Sequence, residues 1–377
     1  MNKTYVFSAP GRTEIGGNHT DHQSGCVLAA AVNLEIVAEV IPNNLNRIRI
    51  KSDRYMAFSI DLADLNVHSV EKNTAAALVR GVAAAFVERG AQIKGFDAIV
   101  HSNVIPGRGL GTSAAFTVLI GTILNEMFCD KQYSKTEIAQ MCQYAEKVFF
   151  GKLCGLMNHM ISALGGMVFI DFENAKAPKI ERLDVDLNAL GYALCIIDCG
   201  ANHIDLANEY ETIPGEMKEI CNFFGKEVLR KIPETEFFEA LPKLRKIVPD
   251  RAILRAIHIY QENKRVIKEM ECLKNKDLEH FFELVKESGR SSWMYLQNII
   301  PTGAIEHQEM GLTLALCDVL LKEQGAYRVH GDGFIGTVQA YVPIDKVDMF
   351  KAKIENVLGK DSCQILNICS QGGVRIE

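Results

Sequence analysis

A glycine-rich stretch in the first half of the chain has the composition of a phosphate-binding loop. Residues 103–117 read N-V-I-P-G-R-G-L-G-T-S-A-A-F-T, with glycine at alternate positions, Gly107, Gly109 and Gly111. Because glycine lacks a Cβ atom, the backbone N–H groups of such a stretch can approach a ligand closely. The chemistry that this spacing allows is the binding of an anion, above all a phosphate, by main-chain amides.

The segments on either side of these glycines are the ones that a phosphate loop needs. Lys94–His101 has the aromatic and β-branched content of a strand, and the apolar run Ala114–Met127 is long enough for a helix. Thr112 or Ser113 can cap that helix, whose free N-terminal amides would attract anions. The order strand, loop, helix therefore predicts a phosphate loop, and a plain turn punctuated by glycines is the alternative.

A second polar cluster lies near the amino terminus. Arg12–His22 reads R-T-E-I-G-G-N-H-T-D-H and follows a short predicted strand, Thr4–Ser8, that should end at the A-P-G tripeptide. Its aspartate, histidine and asparagine side chains can exchange hydrogen bonds with neighbouring hydroxyls, and the G-G pair allows a tight turn around a small ligand. The cluster predicts a sugar-binding loop, and a solvated surface loop is the alternative.

A second glycine cluster, H-G-D-G-F-I-G at His330–Gly336, contains the spacing G-x-G-x-x-G. A nicotinamide-binding turn would need a helix directly afterwards, but T-V-Q-A-Y-V-P alternates like a strand and stops at proline. We therefore predict a hairpin of two strands, Tyr327–His330 and Thr337–Val342. The loop at Gly107 in turn lacks the G-K-[ST] ending of a Walker A motif and supplies no phosphate-binding lysine.

The remaining sequence mixes strand-like and helix-like segments that must position these motifs. In the first half we expect strands at Val27–Ile41 and Met167–Phe172, a hairpin region at Arg47–Asp64, and helices at Thr74–Arg89 and Ser134–Phe150, the second opening with a S-x-x-E capping box. In the second half we expect a strand at Tyr192–Asp198, helices almost throughout Gly215–Gln324 with breaks near Pro233, Pro242, Pro249 and Pro301, a helix at Ile344–Leu358 and a strand at Cys363–Cys369.

Length and charge limit the organisation and the partners of the chain. Its 377 residues exceed the ~250–300 at which single cores usually split, and Asn174–Leu190 carries mixed charge and a proline. We therefore expect two domains, 1–180 and 181–377. The net charge of -6 offers no basic field for a phosphate polymer, so we expect no nucleic-acid partner.

The cysteines and the apolar runs indicate a cytoplasmic protein. The 11 cysteines form no C-x-x-C pair, and Cys142, Cys195 and Cys317 stand in apolar runs, which suggests reduced, buried thiols. The amino terminus lacks a long apolar signal core, and charged or polar residues interrupt the longest apolar stretches. We expect neither export nor a membrane span.

Three ordered motifs resemble those of the GHMP small-molecule kinases, and among them the galactokinases most closely. A-P-G-R-T-E-I-G-G-N-H-T-D-H (Ala9–His22) looks like the galactokinase signature, G-R-G-L-G-T-S-A-A like the family's phosphate loop, and H-G-D-G-F-I-G-T like its third motif. E-K-V-F-F-G-K-L-C-G-L-M-N-H (Glu146–His159) is similar to the segment with the magnesium glutamate and the catalytic aspartate. N-E-Y, at residues 208–210, is similar to the segment with the tyrosine beside the sugar.

The resemblance implies an α+β, two-domain GHMP kinase fold with the active site in the cleft between the domains. It also implies ATP and Mg²⁺ as cofactors, with the metal held by Ser113 and Glu146. Arg12 would stabilise charge on the transferring group, and Asn158 would occupy the position of the catalytic aspartate. The amides of the loop would hold the ATP phosphates, namely those of Gly107, Arg108, Gly109, Leu110, Gly111, Thr112, Ser113 and Ala114. The sugar would be bound by Asn18, His19, Asp21, Gly155 and Tyr210.

The sequence departs from the galactokinase pattern at four positions. Asn158 replaces the aspartate, and its neutral amide cannot take a proton, although homoserine kinases of the same family resemble this chain in having asparagine there. Asn18 stands where galactokinases have a sugar-binding glutamate, and His22 stands in place of tyrosine. Both changes put strict galactose specificity in doubt. Asp332 replaces a glycine of the third motif, and the sequence offers no explanation for it.

Two functions of different classes remain open at this point. One is a kinase that transfers the ATP γ-phosphate to the anomeric hydroxyl of galactose or a related monosaccharide. The other is a non-catalytic sensor of sugar and nucleotide that binds a partner protein. This function would explain the loss of the aspartate at position 158. A kinase for homoserine or mevalonate fits the amino-terminal motif less well.

Overall fold

The computed structural model describes residues 3–53, 56–104, 107–200, 207–334 and 336–376 of the 377-residue chain. Parts of three predicted segments lie outside them, namely 54–55 of the hairpin region, 105–106 of the glycine stretch and 335 of the second glycine cluster. Within the described ranges the strands are β1 (Tyr5–Gly16), β2 (Cys26–Pro42), β3 (Arg47–Ser52), β4 (Phe58–Asp61), β5 (Phe96–Ser102), β6 (Met167–Asp171), β7 (Lys179–Leu183), β8 (Tyr192–Asp198), β9 (Ala326–Val329), β10 (Thr337–Pro343), β11 (Cys363–Leu366) and β12 (Val374–Arg375). The helices are α1 (Ala75–Glu88), α2 (Thr112–Phe128), α3 (Lys135–Tyr144), α4 (Met157–Leu164), α5 (Ala207–Phe223), α6 (Glu234–Leu244), α7 (Asp250–Lys274), α8 (Leu278–Ser291), α9 (Glu309–Leu321) and α10 (Val347–Leu358).

The larger sheet contains the two amino-terminal strands at its centre. Its order is β12-β1-β2-β5-β3-β4, with β6 paired to β2 and β7 paired to β6. β3 and β5 run parallel, and the other pairs of this sheet are antiparallel. Helices α1, α2 and α4 pack against this sheet and bury its apolar face, and α3 packs on these three helices.

β1 is longer than the sequence predicts. The strand expected at Thr4–Ser8 continues through the A-P-G tripeptide to Gly16, because its pairing with β2 resumes after a register shift between Pro10 and Arg12. A proline lacks the N–H that a regular ladder needs, and an irregularity of this kind accommodates it. Part of the predicted sugar loop is therefore strand, and Arg12 is held by a sheet.

The second half of the chain forms a four-stranded antiparallel sheet of order β11-β8-β10-β9. The predicted hairpin is confirmed, since β9 and β10 pair with Val329 opposite Val338 and flank the second glycine cluster. The predicted strand Cys363–Cys369 is shorter, because β11 ends at Leu366. Helices α9 and α10 cover this sheet with a core of their own.

Several predicted helix ends are confirmed by their caps. Thr74 caps α1, and Ser134 forms the expected capping box with Glu137 at the start of α3. The helix expected to run to Phe150 changes character at Ala145, where a π-helical segment, Ala145–Phe150, continues it. The break expected near Pro242 comes slightly later, since this proline lies inside the last turn of α6 and the helix ends at Leu244.

The predicted domain boundary falls within a strand. β7 spans residue 180 and pairs with β6, while β12 near the carboxyl terminus pairs with β1. The chain thus returns to the larger sheet after building the smaller one, and the ranges 1–180 and 181–377 stay a proposal.

The cysteines and the helices agree with the compositional predictions. All 11 cysteines are unpaired, and Cys142, Cys195 and Cys317 are buried as expected. No helix in the described part of the chain is both long and apolar enough to cross a membrane.

Candidate active site

The glycine loop leads into α2 through an uncapped helix start. Gly111 is the N-cap residue, with φ at 71°, and no side chain bonds to the first amides of the helix. The expectation that Thr112 or Ser113 caps α2 is wrong, because both lie inside its first turn. First-turn N–H groups without an intrahelical partner can bind an anion, and phosphate binding by this stretch stays a prediction.

Two glycines of the loop are needed for its close packing. Gly109 has φ at 63°, and a Cβ atom there would lie 3.1 Å from Nδ1 of His330. At Gly111 a Cβ atom would lie 3.1 Å from Cγ of Arg12. The glycine loop therefore packs tightly between β1 and the second glycine cluster, which lie far apart in sequence.

Arg12 joins the glycine loop to helix α4. Its backbone N–H donates to the carbonyl of Leu110 at 2.9 Å, and its guanidinium donates to the carbonyl of Gly109. Its Nε donates to Oδ1 of Asn158, the second residue of α4, at 2.6 Å. The side chain is buried, so its charge acts inside the protein instead of in water. The two predicted catalytic residues thus touch each other beside the loop.

Ser113 and Glu146 form the predicted oxygen pair. The Ser113 hydroxyl donates to a carboxylate oxygen of Glu146 at 2.8 Å, and the other carboxylate oxygen lies 2.9 Å from Nε2 of His159. Burial raises the pKa of Glu146, but contact with His159 and the charges of His159 and Lys152 outweigh it and lower the pKa to about 2. An ionised carboxylate and a hydroxyl beside a phosphate loop are hard oxygen donors that fit Mg²⁺.

The π-helical segment sets the position of Glu146. A regular continuation of α3 would point the Glu146 side chain in a different direction. The wider turn of the π-helical segment Ala145–Phe150 places it against α2 and α4. π-helical insertions of this kind occur frequently at functional sites. With Cys154, the carboxylate and His159 also form a group of donor atoms that lie within 4.8 Å of one another.

The sugar-loop candidates are brought together with Gly155 and the second glycine cluster. A Cβ atom at Gly155 would lie 1.5 Å from Oδ2 of Asp21, so only glycine leaves room for that carboxylate. His19 contacts the backbone carbonyl of Asp332 through Nε2 at 2.9 Å and His22 through Nδ1 at 3.2 Å. Burial, followed by the charge of Asp332, raises the pKa of Asp21. Burial lowers the pKa of His22 to about 3, which keeps its ring neutral.

Asn18 lies beneath this group and is used by the protein itself. Its side chain is fully buried, and its amide donates to Glu14 at 3.0 Å and to the carbonyl of Gly331. Its Oδ1 accepts from Asn298 at 2.9 Å. Both amide hydrogens and the carbonyl are therefore occupied, so the expectation that Asn18 contacts a sugar directly is corrected to a supporting position.

Tyr210 stands on the far side of the second glycine cluster. Its ring packs edge-to-face on Phe334 with centroids 5.9 Å apart. Burial, and next the charge of Asp332, raise the pKa of its phenol. Tyr210 thus shares one neighbour, Asp332, with the residues of the amino-terminal loop.

A cavity of about 330 Å³ runs along the glycine loop. Its lining includes the charged and polar side chains of Arg12, Lys152, Asn158 and Asp332 together with several apolar side chains. Along its length lie Gly107, Gly109, Leu110, Gly111, Thr112 and Ser113. Among the remaining loop candidates, Arg108 turns its side chain to Asp198 at 2.9 Å, and Ala114 is buried in α2.

Sequence reasoning missed Lys152 and left Asp332 without a role. Lys152 follows Gly151, whose φ of 88° ends the π-helical segment, and it lines the cavity opposite the glycine loop. The only sequence signal for it was its place between the predicted metal glutamate and Gly155. Asp332 could not be placed because the cavity joins elements that are hundreds of residues apart.

Comparison with known families agrees with this geometry. Residues 77–166 match the model of the GHMP kinases N terminal domain, and residues 1–42 match the galactokinase galactose-binding signature. The chain carries a GHMP kinase N-terminal domain. The glycine loop, α2, Glu146 and Asn158 lie inside this GHMP domain, and Arg12 with the sugar-loop candidates lies inside the galactose-binding signature.

Solved structures share the whole fold of this chain. The Lactococcus lactis galactokinase complexed with galactose has 21% identity, a TM-score of 0.83, and coverage of 99% of this chain and 95% of that one. Methanococcus jannaschii mevalonate kinase has 14% identity, a TM-score of 0.67, and coverage of 97% and 98%. Mevalonate diphosphate decarboxylase from Staphylococcus aureus has 12% identity, a TM-score of 0.63, and coverage of 100% and 99%. A kinase and a decarboxylase share this α+β fold, so the fold alone does not fix the reaction.

Proposed function

We propose that the protein is an ATP- and Mg²⁺-dependent kinase that phosphorylates the anomeric hydroxyl of galactose or a related monosaccharide. The observation that carries this proposal is one cavity whose lining includes the glycine loop, Arg12 and Asp332. The sugar-loop residue His19 contacts the backbone of Asp332. A nucleotide and a small carbohydrate can therefore meet where the cationic groups lie.

The apolar part of the cavity lining suits the base of a nucleotide. Branched and aromatic side chains supply it, and a flat, weakly polar ring can be buried between them. With the base against these side chains, the phosphates would extend along the glycine loop toward the buried guanidinium. The apolar residues of the lining include Ile36, Ile50, Phe58, Leu78 and Val100.

Phosphoryl transfer asks mainly for positioning and for positive charge near the transferring group. The free amides of the first turn of α2 hold phosphate oxygens, and Arg12 is fixed by Asn158 so that its charge faces the same place. Ser113 and Glu146 would hold Mg²⁺, which supplies further charge neutralisation on the phosphates when bound. Asn158 orients Arg12 and takes no proton, because an amide has no basic site at ordinary pH.

The sugar would lie against Asp21 and His19. The Asp21 carboxylate, packed directly on Gly155, can accept hydrogen bonds from two neighbouring hydroxyls. The Lactococcus lactis relative was solved with galactose, which makes a hexose the first substrate to test. Since Asn18 is occupied by protein contacts and His22 stays neutral, we include uronic acids and N-acetylhexosamines in the same panel.

We also propose that the catalytic cleft lies between two domains, one built on the larger sheet and one on the smaller. The glycine loop belongs to the first, and Asp332 lies in the β9–β10 hairpin of the second. The salt bridge between Arg108 and Asp198 connects the loop to the end of β8 across that cleft.

The experiment is a measurement of ADP release with Mg²⁺ and ATP across a panel of hexoses, uronic acids and N-acetylhexosamines. Release that requires both a sugar and Mg²⁺ supports the kinase. Calorimetric binding of sugar and ATP without any turnover would instead support a sensor. Absence of both sugar binding and turnover would overturn the proposal.

A further inference from the structure

Transfer of a phosphoryl group to a hydroxyl leaves one proton to be placed. The bond between the sugar oxygen and the γ-phosphorus forms, and the bond from that phosphorus to the bridging oxygen of ATP breaks and leaves its electron pair on ADP. The hydroxyl proton must go to a base within hydrogen-bond reach or to water. Asn158 cannot take it, since its Oδ1 already accepts from Arg12 and its amide is not basic.

One carboxylate is available in the cavity. Among the described residues that line it, Asp332 is the single acidic side chain. Glu146 is not among the described residues that line the cavity, and its carboxylate contacts Ser113 and His159. Asp332 lines the same cavity as Arg12, Lys152 and Asn158.

The Asp332 carboxylate interacts electrostatically with groups of both predicted halves of the site. These are Lys152 and Arg12, which line the same cavity, and His19 of the sugar loop. Asp332 acts in turn on Asp21 and Tyr210, whose pKa values it raises. Because Asp332 also lines the cavity along the glycine loop, it is available to both a phosphate and a sugar hydroxyl bound there.

The backbone holds this side chain in place. The carbonyl of Asp332 contacts His19 at 2.9 Å and accepts a hydrogen bond from Asn298 at 3.4 Å. Gly331 and Gly333 on either side have φ at 62° and 73°, and a Cβ atom at Gly333 would lie 2.4 Å from Asn298. The main chain is thus fixed independently of the carboxylate, so the carboxylate can change without loss of the loop.

The geometry points to Asp332 as the base that accepts the proton of the sugar hydroxyl during phosphoryl transfer. This inference rests on the proposed kinase function. It assigns a role to the aspartate that replaces a glycine of the third motif and accounts for the neutral residue at position 158. Burial raises the pKa of Asp332, but the charges of Lys152, His19 and Arg12 outweigh it and lower the pKa, so the carboxylate is ionised at neutral pH.

The test compares Asp332→Asn and Asp332→Ala with Asp184→Asn, which changes an exposed aspartate after β7 in the same way. With the sugar that the wild type turns over best, kcat of Asp332→Asn should fall by about 10²- to 10⁴-fold. Calorimetric affinities for ATP and for the sugar should stay within about threefold, since the backbone contacts remain. Added formate should raise kcat of Asp332→Ala, because a free carboxylate can enter the vacated space and take the proton.

The possible outcomes distinguish the role of Asp332 as the base from the proposed kinase function. Loss of kcat with retained affinities and rescue by formate supports the base, since a purely structural residue would give no rescue. A kcat of Asp332→Asn equal to that of Asp184→Asn overturns the base and leaves the kinase standing. Lost kcat together with lost affinities and no formate rescue also overturns it. A wild type that releases no ADP with any sugar overturns the proposed function and the inference with it.

Discussion

Nε of Arg12 donates a hydrogen bond to Oδ1 of Asn158 over 2.6 Å, so an amide and not a carboxylate faces this buried guanidinium. Because the amide is neutral, it does not neutralise the positive charge of Arg12, which can act on a bound phosphate. Because Asp332 lines the same cavity as Asn158, a carboxylate at position 158 would also add a second negative charge to that cavity.

We therefore expect Asn158→Asp to lower kcat by about tenfold, because the new charge would neutralise part of the field of Arg12 and raise the pKa of Asp332. Steady-state kinetics with the best sugar measures this effect. Asn44→Asp, which makes the same change at an exposed position, is the control. A strong gain of turnover in Asn158→Asp would show that the native cavity lacks a base, contrary to the role given to Asp332.

Replacement of Arg12 by lysine tests the forked geometry of the guanidinium. Arg12 reaches Asn158 and the carbonyl of Gly109 at once, and a lysine ammonium cannot make both contacts from one planar group. We expect kcat to fall by about 10²-fold or more although the positive charge is kept. The affinity for the sugar, measured by calorimetry, should change little. Unchanged kcat would mean that the charge alone is sufficient.

Gly155→Ala tests the place of Asp21 in the sugar site. Since the new methyl group would overlap the Asp21 carboxylate, we expect KM for the sugar to rise by about tenfold or more with little change in ATP affinity. Gly215→Ala is the matched control, because no atom lies within 4 Å of its Cβ position in α5. That variant should leave KM unchanged and keep or raise Tm. Equal sugar KM values in the two variants would remove Asp21 from the site.

The buried carboxyl group of Glu269 should make the free energy of unfolding depend on pH. Burial, and next the charge of Glu262, raise the pKa of Glu269 to about 8, from the ordinary value of 4.5, against the opposing charge of Arg328. Between pH 4.5 and about pH 8, Glu269 is therefore protonated in the folded protein and ionised in the unfolded chain. The contribution of this group is therefore present below about pH 4.5 and is lost as pH rises through about 8.

Glu269→Gln cannot titrate, so its stability relative to the wild type should increase between pH 5 and pH 8 by about 1–3 kcal/mol. Urea unfolding at a series of pH values measures this difference. Glu271→Gln, at an exposed position of the same helix, should show no such trend. A constant difference between Glu269→Gln and the wild type across this range would show that Glu269 is ionised in the folded protein.

Local signals in the sequence were sufficient for most elements and for the phosphate side of the site. The spacing of glycines before an apolar run predicted the loop and α2, and S-x-x-E predicted the start of α3, because these patterns act within a few residues. The extent of β1 could not be predicted, because it depends on pairing with β2 across a register shift. The end of a short strand at a proline was the better local inference.

The sugar side of the site depends on contacts between distant segments. Asn18 looked like a ligand because its type and position suit a hydroxyl, but Glu14, Gly331 and Asn298 occupy its amide. Only the folded chain brings these partners together. Lys152 and Asp332 likewise acquire a role only when the β9–β10 hairpin lies against the segment before α4.

The reaction of ATP with a sugar in the cavity beside Gly111 and Arg12 is tested most directly by ³¹P NMR of the wild type with Mg²⁺, ATP and each sugar of the panel in turn. We expect one sugar to yield ADP together with a new sugar 1-phosphate resonance, and neither product to form without that sugar. Saturating sugar binding with no phosphorylated product from any member of the panel would contradict it.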